Sequence, residues 1–88
     1  MGRMAASVLD VRQAGEYAAG HVPGARHVEL GSIADADFPD QPLTVMCGHG
    51  ERAMTAASLL AARGMSVSCY DGGPATWADF TGRQLELG

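Results

Sequence analysis

The stretch Leu43-Thr44-Val45-Met46-Cys47-Gly48-His49-Gly50-Glu51-Arg52-Ala53 decides how the rest of the chain is read. Its first four residues are a short, mainly apolar run that suits a buried strand. Cys47 and a Gly-x-Gly turn follow. A segment rich in helix formers then runs from Glu51 or Arg52 to Arg63 and stops at Gly64. Within that segment Ala53, Ala56, Ala57 and Leu60 share one face at helical spacing. A buried strand passing through a tight glycine loop into a helix is the building block of parallel α/β sheets.

Working outward, the same alternation recurs on both sides. Upstream, Ser7-Val8-Leu9-Asp10-Val11 reads as another buried strand, and Gln13 to Ala19 as a short helix stopped by Gly20. His21-Val22-Pro23-Gly24 is a turn, because Pro-Gly interrupts regular structure, and His27-Val28-Glu29-Leu30 is a brief strand. Ala34 to Pro42 gathers acidic and Pro residues without periodicity and reads as a surface connection. Downstream, Ser66 to Tyr70 is the next strand and Gly72-Gly73 turns the chain. Pro74 opens a final short helix that carries Trp77 through Ala75 to Phe80. The expected fold is α/β, a small parallel β-sheet flanked by helices, with residues 1–88 forming a single domain.

Composition narrows the function. Hydrophobic residues at 47% and charged residues at 18% are ordinary for a globular domain of 88 residues. The net charge is −4, and the six basic residues are all Arg, scattered at positions 3, 12, 26, 52, 63 and 83. Such scatter makes no basic stripe, so neither nucleic acid nor an anionic membrane is an expected partner. No apolar run approaches a membrane span, and residues 1–6 make a poor signal peptide. Two cysteines are too few for a disulfide framework, so a reducing cytoplasm is the default setting.

In parallel sheets, sites form beyond the carboxyl ends of strands, which is where Cys47 lies. The glycines let the backbone curl and turn its N–H groups inward, and the helix that follows adds unpaired donors and a positive dipole end. That environment favours the thiolate, the nucleophilic form of cysteine. It would equally hold a persulfide anion or a small oxyanion. The plain alternative, a small buried hydrophobe ending a strand, explains neither the glycines nor the adjoining helix. Cys69 has no such loop, and a packed structural thiol is its expected role.

Two rival chemistries fit less well. Gly48-His49-Gly50-Glu51-Arg52-Ala53 matches a dinucleotide-binding fingerprint, with Asp71 near the distance of a ribose-binding acid. That fingerprint normally opens its domain, however, whereas 46 residues precede Cys47 and the chain is too short for both nucleotide-binding halves. A metal site is weaker still. Cys47 and His49 alternate in one loop, but His21, His27 and Cys69 lack ligand spacing and the histidines read as turn or surface groups. No cofactor is expected.

Four blocks in order give the chain a resemblance to the rhodanese-like domain family. Leu9-Asp10-Val11-Arg12 resembles the family's opening D-V-R strand, and Glu16 to Ala25 its E-[FY]-x-x-G-H-[IV]-P-G-A stretch. Cys47 to Arg52 resembles the C-x-x-G-x-R loop, and Asp71-Gly72-Gly73 with Trp77 the G-G-x-x-x-W ending. The resemblance implies a sulfurtransferase or persulfide carrier. Cys47 takes a sulfane sulfur from thiosulfate, or from a protein or small-molecule persulfide, and passes it to a thiol or cyanide. Gly48, His49, Gly50, Glu51 and Arg52 then supply the ring of backbone donors, and the Arg52 side chain steadies the loop or an anionic donor. Asp10 and Arg12 become a polar scaffold, with a structural ion pair or turn hydrogen bond as their favoured role, as for Glu16. Trp77 is expected in the core.

Four residues separate Cys47 from Arg52, one fewer than in the cysteine phosphatases that this architecture resembles, and the shorter ring suits sulfur better than phosphate. Two departures from the family pattern matter. The chain begins almost at the D-V-R strand, which makes it N-terminally short, a compact version or a piece of a larger protein. It would leave a sheet edge open to a homodimer or a partner domain. The loop also carries Glu51 beside its one cation, Arg52, a poor match for dianionic thiosulfate. The alternatives kept open are a non-catalytic regulatory or binding module and an arsenate or phosphate reductase-like use of the same cysteine.

Overall fold

A computed structural model describes residues 7–38, 41–48, 51–70 and 72–88. Four strands make one parallel sheet: β1 (Ser7–Asp10), β2 (Arg26–His27), β3 (Leu43–Met46) and β4 (Val67–Cys69), in the order β2-β1-β3-β4. Three helices connect or follow them: α1 (Ala14–Ala19), α2 (Glu51–Ala62) and α3 (Pro74–Thr81). This is the flanked parallel sheet that the alternation of apolar runs predicts. Register puts Asp10 beside Met46 and Val45 beside Cys69, so the carboxyl ends of the two central strands are level.

The period-2 alternation of the strands divides the core into two layers. Leu9, Val11, Leu43, Val45 and Cys47 point to one face and pack against Ala53, Ala56, Ala57 and Leu60 of α2, with Ile33 closing the side. Small alanines along α2 bring its axis close to the sheet. Met46 points to the other face, where Val22, Ala25, Val8, Tyr17, Tyr70, Trp77 and Leu85 surround it. Trp77 is therefore a half-buried member of the second layer, as its place in the last helix implies.

Several boundaries differ from expectation. The brief strand expected over His27 to Leu30 is Arg26–His27, and the chain then winds into a 3-10 helix, Leu30–Asp35. The reason is Ile33, fully buried against the first layer, and Arg63, which donates to the carbonyls of Ile33 and Ala36 at 3.1 Å each. Pro39 and Asp40 of the expected surface connection lie outside the described residues. The carboxyl-terminal stretch also returns to the fold. His21 N–H donates to Glu86 O at 2.9 Å and Glu86 N–H to His21 O at 2.8 Å, while Leu85 packs on Gly20.

Two residue placements are corrected as well. His21 is buried, where a turn or surface position was expected. Its ring stacks on Tyr17 with centroids 3.8 Å apart, and His27 stacks on the same phenol at 4.4 Å. Tyr17 in turn donates to Ala25 O at 2.8 Å, and burial, followed by the nearby Asp10 and Glu86 charges, raises its pKa. Cys69 is exposed, where a packed thiol was expected. It lies on β4, which has no strand beyond it among the described residues, and its thiol reaches the Ala53 carbonyl of α2 at 3.6 Å.

Candidate active site

Cys47 is the first residue after β3 and continues that strand's alternation into the α2 layer, leaving the residue 1% exposed. The Ala53 N–H, in the first turn of α2, donates to Cys47 Sγ at 3.3 Å. That amide is one of the donors a helix N-terminus leaves without an intrahelical acceptor. A negative sulfur placed there meets a real donor and the positive end of a twelve-residue helix. Gly48 is half-buried, while His49 and Gly50 lie outside the described residues. Glu51 is exposed on the first turn of α2, a position in which a carboxylate complements the helix dipole.

Arg52 turns away from a lone position toward α1. Its Nη1 donates to Glu16 Oε1 at 2.7 Å and its Nη2 to Glu16 Oε2 at 3.2 Å, a two-pronged pairing. Glu16 Oε1 also accepts from the Gln13 N–H at 3.0 Å. The Arg52 hydrogen bond, then the Gln13 N–H, lower the Glu16 pKa to about 2, and the same carboxylate raises that of Arg52.

Asp10 and Arg12 form a buried ion pair at the end of β1. Asp10 Oδ1 accepts from Arg12 Nε at 2.9 Å and Oδ2 from Nη2 at 2.8 Å, with the Arg12 N–H adding a third bond at 3.1 Å. Arg12 Nη2 continues to Gly20 O at 2.8 Å, which ties the strand end to the end of α1. The pair holds the platform on which the loop rests: Val11 N–H donates to Met46 O at 3.0 Å, one residue before Cys47.

In the sequence Gly73 reads as part of a turn and of the G-G-x-x-x-W ending, with no contact to the Cys47 loop implied. A Cβ placed on it would lie 2.7 Å from Cys47 O and 2.8 Å from Gly48 O. Both obstacles are backbone, so only glycine lets the start of α3 close on the loop in this position. The Gly-Gly pair gave the signal, since close backbone approach is one of the reasons for glycine outside regular structure. A cavity of about 250 Å³, lined by Val8, Val22, Trp77 and Arg83 among others, opens at the amino end of β1 and does not include Cys47.

A cysteine at the carboxyl end of a parallel strand, with its sulfur on the next helix's backbone, defines a thiol-centred α/β domain. The family model of the rhodanese-like domain matches residues 1–80, and the chain belongs to that family. The thiosulfate sulfurtransferase GlpE of Pseudomonas fluorescens is 44% identical over a match that covers 82% of this chain and 70% of that protein. Among solved structures, a rhodanese-related protein from Thermoplasma volcanium superposes with a TM-score of 0.84 at 25% identity, covering 96% of this chain and 86% of that one. A rhodanese-like domain protein from Staphylococcus aureus shares the fold with a TM-score of 0.84, at 24% identity and coverages of 100% and 86%.

Proposed function

We propose that the chain is a rhodanese-type sulfurtransferase that carries sulfur as a persulfide on Cys47. The Cys47 thiolate attacks the outer sulfur of a sulfane donor. A Cys47–sulfur bond forms, and the donor's bond to that sulfur breaks with its electron pair leaving on the donor remnant. A thiol or cyanide then attacks the outer sulfur, and Cys47 departs as the thiolate. The observation that carries this reading is the Ala53 N–H on Cys47 Sγ at 3.3 Å. It aims a helix N-terminus at the atom that is negative before loading and after delivery. The similarity to GlpE, a thiosulfate sulfurtransferase, supports the reaction class.

The competing reading is a binding module without chemistry, and the burial of Cys47 speaks for it. The two part on one reaction: release of thiocyanate from a sulfane donor and cyanide. Turnover by the wild type and none by Cys47→Ser supports sulfur transfer; no turnover and no sulfur loading by the wild type supports the module. A cytoplasmic setting is part of the proposal. Cys47 and Cys69 form no disulfide, and no helix among the described residues is long and apolar enough to cross a membrane.

A further inference from the structure

We infer that Glu16 sets the donor charge that this site accepts, by cancelling the Arg52 guanidinium. The inference rests on the sulfur-transfer reading and names its substrate class: sulfane donors carrying a single negative charge, ahead of dianionic thiosulfate. Among the described residues of the Cys47 loop Arg52 is the one cation, and a dianion arriving there needs its charge. Both of its amino groups are already engaged by the Glu16 carboxylate, at 2.7 and 3.2 Å. Arg12, the other guanidinium at this end of the sheet, is matched in the same way by buried Asp10. Glu51 adds an exposed carboxylate on the first turn of α2.

The remaining described arginines are placed elsewhere. Arg26 and Arg83 lie over Phe38 and Trp77, and Arg63 is spent on carbonyls at the far end of α2. Two guanidiniums therefore face three carboxylates among the described residues around the loop. Among the described residues, the helix N-terminus with its Ala53 N–H, worth about half a charge, still offers attraction to an anion, and it suits a monoanion better than a dianion.

Glu16 touches neither sulfur nor donor in this role; it is a positioning residue that acts through Arg52. Gln at position 16 keeps an oxygen for the guanidinium and removes only the charge. The test compares thiosulfate with methanethiosulfonate, which presents the same transferable sulfur on a monoanion. In the two loading reactions, sulfite dianion and methanesulfinate are the respective leaving groups, each taking the electron pair of the broken sulfur–sulfur bond. Coulomb energy scales with donor charge. Glu16→Gln should thus raise kcat/KM for thiosulfate about tenfold and for methanethiosulfonate only about threefold. Added salt should erase the difference. Glu16→Asp, which retains the charge, should retain the wild-type ratio.

Equal changes for both donors, a fall with both, or no change in a variant that unfolds like the wild type would each overturn the inference. Loading of the wild type by neither donor would instead remove the sulfur-transfer reading beneath it.

Discussion

Cys47 owes its setting to two residues that carry no reactive group. Ala53 supplies the N–H at 3.3 Å, and Gly73 lets α3 begin against the carbonyls of Cys47 and Gly48. Gly73→Ala places a methyl group 2.7 and 2.8 Å from those two oxygens, so the loop or the start of α3 must move. Overpacking of this kind costs about 1–3 kcal/mol. A displacement near 1 Å at the sulfur slows the reaction on the order of hundredfold. Urea denaturation together with loading kinetics checks both; unchanged loading in Gly73→Ala would show that the close approach is incidental. Asp10→Ala tests the platform. It leaves Arg12 buried without its carboxylate, and the expected loss is about 3–5 kcal/mol, measured by thermal or urea unfolding.

Among the elements, those with a period of their own were legible in advance and those defined by distant contacts were not. Leu43–Met46 and Glu51–Ala62 announce themselves by an apolar run and by alanines at helical spacing. The 3-10 helix at Leu30–Asp35 exists because Ile33 must reach the core and Arg63, 30 residues away, holds its carbonyl. The bridge between His21 and Glu86, too, spans most of the chain, and nothing local marks it.

The Glu16–Arg52 pair joins α1 to α2 and brings a pH dependence that belongs to these elements. With a folded pKa of about 2, below the ordinary 4.5, Glu16 stays charged through the neutral range. Its contribution is therefore fully present above about pH 4.5 and fades as pH falls toward 2. The pair is partly exposed, so the contribution is small, about 1 kcal/mol or less. Wild type and Glu16→Gln should differ in stability by a constant amount from pH 5 to 9 and converge in acid. A difference that grows on acidification would contradict the assignment.

At the scale of the whole molecule, the sheet sorts chemistry from scaffold. The α2 layer carries Cys47, and the opposite layer carries Tyr17 between two histidine rings, with Trp77 nearby. The resemblance blocks of the sequence map onto both layers. D-V-R becomes the buried Asp10–Arg12 clamp, and E-Y-x-x-G-H becomes the Arg52 anchor plus the aromatic stack. The candidate site could be proposed from the chain because strand, glycine loop and helix are contiguous there, and of its residues His49 and Gly50 lie outside the described ones. The partner of Arg52 could not, since Glu16 lies 36 residues away and only the folded chain brings α1 to the first turn of α2.

The central claim is that Cys47 carries sulfur, and intact mass spectrometry tests it most directly. Wild type and Cys47→Ser are incubated with thiosulfate or polysulfide, freed of excess donor, and weighed before and after a reductant. The account predicts that the wild type alone gains one sulfur atom and loses it on reduction. Equal gain by both proteins, or none by a folded and reduced wild type with either donor, would contradict it.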